Sequence, residues 1–187
     1  MIDLPKIKVK KLFELDDARF AEYVRLQNVM KSKPEFIGKE AVEITSLQFG
    51  QVNELKRIFT EPTFEGIFYA FEAVFGAKKE EVLEADVVSY FYALNHIAEG
   101  VKTVFKKEKI LEVDDEEERF FMKEAGAERL NRFQEFPILL NLAERFSTTP
   151  FVIETWKYST VFTILLYDKI LADVRKRRDE IKKAMKK

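Results

Sequence analysis

Apolar residues recur along most of the chain at the three- and four-residue spacing of an amphipathic helix, with little of the two-residue alternation of a strand. The densest stretch runs from Pro137 to Arg178. Pro137 suits the first turn of a helix, having no N–H to leave unsatisfied, and Leu139, Leu142, Ala143 and Phe146 follow as one apolar face. Thr149 before Pro150 signals a second short helix over Phe151, Val152, Ile153 and Glu154, with Trp156 at its end. From Tyr158 onward neither Gly nor Pro interrupts the chain, so one helix reaching the 180s is expected. Phe162, Leu166, Ile170, Val174 and Ile181 form a drifting stripe along it, and Ile164 and Leu171 lie on another side. Such a helix reads first as a central core helix, and second as a surface waiting for another chain.

The remaining segments follow the same period. Residues 1–15 suit an extended N-terminal arm, with Lys6, Lys8, Lys10 and Lys11 set against Ile7 and Val9. Asp16 and Asp17 open a helix through Phe20, Tyr23 and Leu26 to about Met30, which Lys33-Pro34 closes. Glu35 to Glu43 reads as a connection. Thr45 or Ser46 caps a helix that turns Leu47, Val52, Leu55, Ile58 and Phe59 inward and ends at Glu61-Pro62. Thr63 caps the next, in which Phe64, Phe68, Phe71 and Phe75 share one face and Gly76 marks the end. A short segment at Lys79 to Leu83 precedes a long helix from about Asp86 through Phe105. Gly100 inside it costs about 1 kcal/mol relative to alanine, which points to a close approach or a bend. After an acidic run from Glu112 to Glu118, residues 125–136 are expected to be helical. The sum is an all-α, single-domain helical bundle of about six to eight helices over residues 16–187, ending in a long, basic-tipped helix.

Composition narrows the function. The chain of 187 residues is long enough to bury a core without staples. It has no cysteine, so disulfides, thiolate nucleophiles and Cys-based zinc sites are excluded. The sequence shows no signal-peptide pattern and no apolar run of membrane-spanning length, so a soluble, intracellular protein without a membrane role is expected. A net charge of -1 argues against a dedicated nucleic-acid binder. The charge is uneven: residues 175–187 carry eight basic and two acidic side chains, net +6, leaving -7 for the rest. Eighteen Phe against one Trp favour a core or interface built on large flat side chains.

Catalytic motifs are scarce. His96 is the only histidine, and the residue three before it is Ala93, so neither a di-iron helical site nor a His-based metal site or triad has its partners. Gly38-Lys39 lacks the glycine of a phosphate loop, since the residue five earlier is Lys33. No cofactor is expected. Among the many carboxylates Asp168 is the one to watch, lying between Tyr167 and Lys169 in an apolar helix; an ion pair with a neighbouring helix is the commoner cause of such a placement.

Residues Leu139 to Lys169 resemble the C-terminal part of small helical proteins of tailed bacteriophages, the tail assembly chaperones and related structural proteins. The shared features are the helix end at Ala143 to Phe146, the Thr149-Pro150 start, Trp156, and the long helix from Tyr158 to Tyr167. Leu47 to Gln51 is similar to an early helix of such proteins. The resemblance implies no catalysis. It implies a protein that binds apolar helical segments of other phage structural proteins, such as tape-measure or tail-tube proteins, in the host cytoplasm during assembly or in the virion.

The expectation is therefore a non-enzymatic protein–protein interaction protein. Contact candidates are Phe64, Phe68, Phe71 and Phe75, Trp156 with Tyr158, and Arg175, Arg177 and Arg178 on the tail, with self-association as a further expectation. The apolar stripe from Phe64 to Phe75 reads more often as core than as a groove. Two alternatives stand beside this: a carboxylate-dependent enzyme using Asp168, and a nucleic-acid accessory protein using its basic tail.

Overall fold

A computed structural model describes residues 7–15, 25, 30–112 and 116–185. The helix expected over residues 16–30 falls almost wholly outside them, as does the middle of the acidic run. The described chain is all-α apart from one small hairpin. Its contacts divide into two compact units: unit 1 comprises residues 1–47 and 51–104, and unit 2 residues 48–50 and 105–187. The all-α expectation from the sequence holds, including the long C-terminal helix.

Unit 1 holds most of the core. Its elements are α1 (Val9–Leu12), the strands β1 (Glu35–Phe36) and β2 (Lys39–Glu40), most of α2 (Phe49–Thr60), α3 (Phe64–Phe75), α4 (Lys79–Glu84) and most of α5 (Val87–Glu108). The N-terminal segment is not an extended arm beyond Lys8. Lys8 bridges to Asp86, the Val9 N–H donates to the Ala85 carbonyl at 2.9 Å, and a helical turn then buries Val9 and Leu12. Burial of those two side chains explains why the segment folds onto the unit.

The connection at residues 35–43 holds an antiparallel two-residue hairpin, whose tip places Ile37 at φ 47° and whose Phe36 is buried. Helix α3 begins and ends as its sequence signals: the Thr63 side chain accepts from the Gly66 N–H at 3.1 Å, and Gly76 closes it at φ 61°. Gly100 of α5 is a close approach. A Cβ there would stand 2.6 Å from Ile44 Cδ1, in the 3-10 turn Ile44–Ser46.

Unit 2 carries the end of α5, a 3-10 turn Lys109–Leu111, α6 (Glu116–Glu124), a 3-10 segment Ala127–Phe133, α7 (Phe136–Arg145), α8 (Pro150–Glu154) and α9 (Tyr158–Ala184). Residues 125–136 are thus not one α-helix: Gly126 at φ 78° and Gln134 at φ 49° interrupt the backbone on either side of the 3-10 segment. Pro137 and Pro150 occupy the first turns of α7 and α8, as expected. Helix α9 runs its predicted length, but it is not a central core helix. Tyr158 and Val161 are its buried residues, and every described residue beyond Leu171 is exposed.

Candidate interaction surfaces

Phe68, Phe71 and Phe75 are not available to a partner. All three are buried in unit 1, where the Phe71 ring stacks on Tyr90 with centroids 5.1 Å apart and planes 6° apart, and Phe36 packs edge-on to Phe71 at 4.8 Å. The physical reason is that α3 is apolar on a face wide enough to be covered by α5 aromatics on one side and the hairpin on the other. Of the four, only Phe64 is exposed, and it is partly screened by the Phe13 ring at 4.9 Å and by the Lys79 ammonium 5.2 Å from its centroid.

Trp156 and Tyr158 organise the start of α9 rather than present a surface. Trp156 is half-buried, edge-on to Phe146 at 5.1 Å, and its carbonyl accepts from the Phe49 N–H at 2.7 Å. Tyr158 is buried: its ring is stacked with Phe49 and Phe162, and its hydroxyl donates to the Glu108 carboxylate at 3.2 Å. Burial, with the Glu108 charge second, pushes the Tyr158 phenol above its ordinary range. Arg175, Arg177 and Arg178, by contrast, are exposed along α9.

Asp168 meets the Arg145 guanidinium, with Nη1 2.9 and 2.7 Å from its two carboxylate oxygens. Both side chains are well exposed, so this is a surface ion pair between α7 and α9. His96 lies beside the Phe75 ring, 6.2 Å between centroids. Among the described residues no three His, Cys, Asp or Glu side chains gather as a metal site, and no helix is long and apolar enough to cross a membrane. A furrow lined by Asp173, Val174, Arg177, Arg178, Ile181 and Lys182 draws all its walls from α9 alone, which makes it an open surface and not an enclosed substrate pocket.

What sequence reasoning missed is where the uncovered apolar surface lies. Of 31 buried hydrophobic residues among the described ones, 24 are in unit 1 and seven in unit 2. Of 20 exposed large hydrophobics, 17 are in unit 2. On α7, Phe136 and Leu140 continue the stripe whose other members, Leu139, Leu142 and Ala143, are covered. On α8, Ile153 points inward while Phe151 is 77% exposed. Phe120 and Phe121 of α6 pack edge-on to each other at 5.9 Å, and both are exposed. Scattered exposed apolar residues are ordinary; here most of them lie on the unit with the smaller core.

No protein-family model matches this chain, no curated protein is similar to it in sequence, and no solved structure matches its fold.

Proposed function

We propose that the chain works by protein–protein contact through unit 2, taking up an apolar helical segment of another protein, and that it performs no catalysis. The observation that carries this reading is the imbalance just described, an apolar sector on α7 and α8 wider than the part its own chain covers. A partner helix with anchors at i, i+3, i+4 and i+7 is the natural occupant of such a sector, because it matches the spacing of Phe136 and Leu140 and leaves its own polar face in water. Aromatic rings supply much buried area for little lost side-chain freedom, which suits recognition without a fixed sequence.

The role in which such binding would serve is assembly of a tailed bacteriophage, as a tail assembly chaperone or a virion component, following the resemblance at Leu139 to Lys169. The features that carry this resemblance, the Thr149-Pro150 start, Trp156 and the long helix α9, all belong to unit 2, as do α7 and α8. Quantitative mass spectrometry of purified particles and of infected-host lysate tests this role. Many copies in the particle identify a structural component, and presence in lysate alone identifies a chaperone. Absence from both would remove the phage role and leave the helix-binding reading to stand or fall on unit 2.

A further inference from the structure

The exposed half of α9 carries a pattern that nothing in the proposed partner binding uses. From Tyr167 onward, Tyr167, Ile170, Val174 and Ile181 occupy a and d positions of a heptad written abcdefg with Tyr167 at a, and each of the four is more than half exposed. In that register the g positions are Asp173 and Glu180, and Arg178 is at e. The apolar seam therefore has an acidic edge on one side and a basic residue on the other. We infer that this half of α9 pairs with the same helix of a second copy, side by side and parallel, as a short two-stranded coiled coil.

The g and e side chains argue for a second copy in parallel orientation, against the mutual repulsion of two tails that each carry net +6. In a parallel pair each g residue faces the e residue five positions on in the other helix, so Asp173 of one copy faces Arg178 of the other, twice by symmetry. In an antiparallel pair g faces g, and Asp173 and Glu180 would repel across the seam. An anionic membrane surface is a poorer occupant, since the acidic edge would lie at the headgroups beside the apolar face. A nucleic acid would leave the apolar seam in water. In the single chain Asp173 lies 3.7 Å from Lys169 and Arg178 lies 3.1 Å from Asp179; both pairs are on the exposed helix surface and exchange readily for contacts across an interface.

Arg177 falls at a d position and would face its own copy in the parallel pair. A charge inside a seam lowers stability while fixing register. With about two and a half heptads available, the resulting association is weak and concentration-dependent. Such pairing does not rest on the partner-binding reading of α7 and α8, and either can fail alone.

Sedimentation equilibrium of the full chain over a concentration series tests it. The expected result is a monomer–dimer equilibrium. Val174→Glu, at an exposed position that leaves folding intact, weakens the dimer about tenfold or more, and Arg177→Leu tightens it. Asp173→Lys alone weakens it about threefold, and the double variant Asp173→Lys with Arg178→Glu restores it, since the two charges are merely exchanged across the seam. A chain that stays monomeric throughout overturns the inference, as does a dimer indifferent to Val174→Glu. Failure of the double variant to recover overturns the parallel arrangement. Binding to phosphatidylserine vesicles that Val174→Glu abolishes, in a chain that never dimerises, assigns the face to a membrane instead.

Discussion

The hydroxyl of Tyr158 donates to the carboxylate of Glu108 across 3.2 Å, tying the first residue of the long C-terminal helix to the last residue of α5. Since Tyr158 is buried between Phe49 and Phe162, the bond and the stacking can be separated by mutation. Tyr158→Phe keeps the ring and should cost about 1 kcal/mol. Tyr158→Ala loses the ring too and should cost about 3–5 kcal/mol. Thermal or urea unfolding reads both, and equal losses would show that the ring contributes nothing.

The same tyrosine predicts a pH effect at the alkaline end. Its phenol is held above the ordinary value of 10.0, so the folded chain keeps a proton that the unfolded chain gives up. This contribution is complete below pH 10 and is lost as pH rises through the folded value. Stability should fall above pH 10 more steeply in the natural chain than in Tyr158→Phe.

At the acidic end the group to follow is Glu84, whose carboxyl is held down to about 2 by hydrogen bonds from Lys10 and Lys8. A depressed carboxylate stabilises fully above its unfolded value of 4.5, and the contribution disappears as pH falls through about 2. Between those values the turn Val9–Leu12 should loosen. Exchange of the Val9 amide, which donates to the Ala85 carbonyl, reports this once corrected for the intrinsic pH dependence. In Glu84→Gln the acid-dependent step should be absent, while Val9 and Leu12 keep the turn docked at neutral pH.

Gly100→Ala pits helix propensity against packing. Alanine is favoured in a helix interior by about 1 kcal/mol, but its Cβ would stand 2.6 Å from Ile44 Cδ1, a buried side chain. Overpacking of this kind costs about 1–3 kcal/mol, so the substitution should be net destabilising. Ile44→Val removes the offending methyl, and in that background Gly100→Ala should become neutral or stabilising. A double-mutant cycle measures the difference.

Local signals were legible in the sequence where one residue's chemistry decides the backbone. The Thr63 side chain caps α3 and Gly76 ends it in the left-handed region, and Pro150 sits in the first turn of α8, but Thr149 ahead of it makes no side-chain cap bond. The hairpin at Glu35–Phe36 and Lys39–Glu40 was not legible, because two-residue strands have no period to detect. Nor was the break of residues 125–136 into 3-10 turns, whose cause is the positive φ of Gly126 and Gln134. For the candidate site the failure was of another kind. The Phe68, Phe71 and Phe75 stripe and the Ile170, Val174 and Ile181 stripe look alike as patterns, yet the first is sealed by Tyr90 and Phe36 while the second is open. Periodicity records that a face is apolar and is silent on what covers it.

Asp168 provides a check on the enzymatic alternative. Because its carboxylate is engaged by Arg145 at the surface, Asp168→Asn should change stability by no more than about 1 kcal/mol, and should leave partner binding intact. Loss of binding in this variant, with folding unchanged, would place the acid in the working surface.

The claim that unit 2 binds an apolar helix while the phenylalanine stripe of unit 1 is core is tested most directly by site-specific photo-crosslinking in the producing cell. A benzophenone side chain in place of Leu140, whose side chain is exposed on α7, should give discrete adducts to a partner, mapping by mass spectrometry to an amphipathic helical segment. The same probe in place of Lys39, at the part-covered hairpin of unit 1, should give none. Adducts from Lys39 with none from Leu140 would contradict the account and move the binding surface to unit 1.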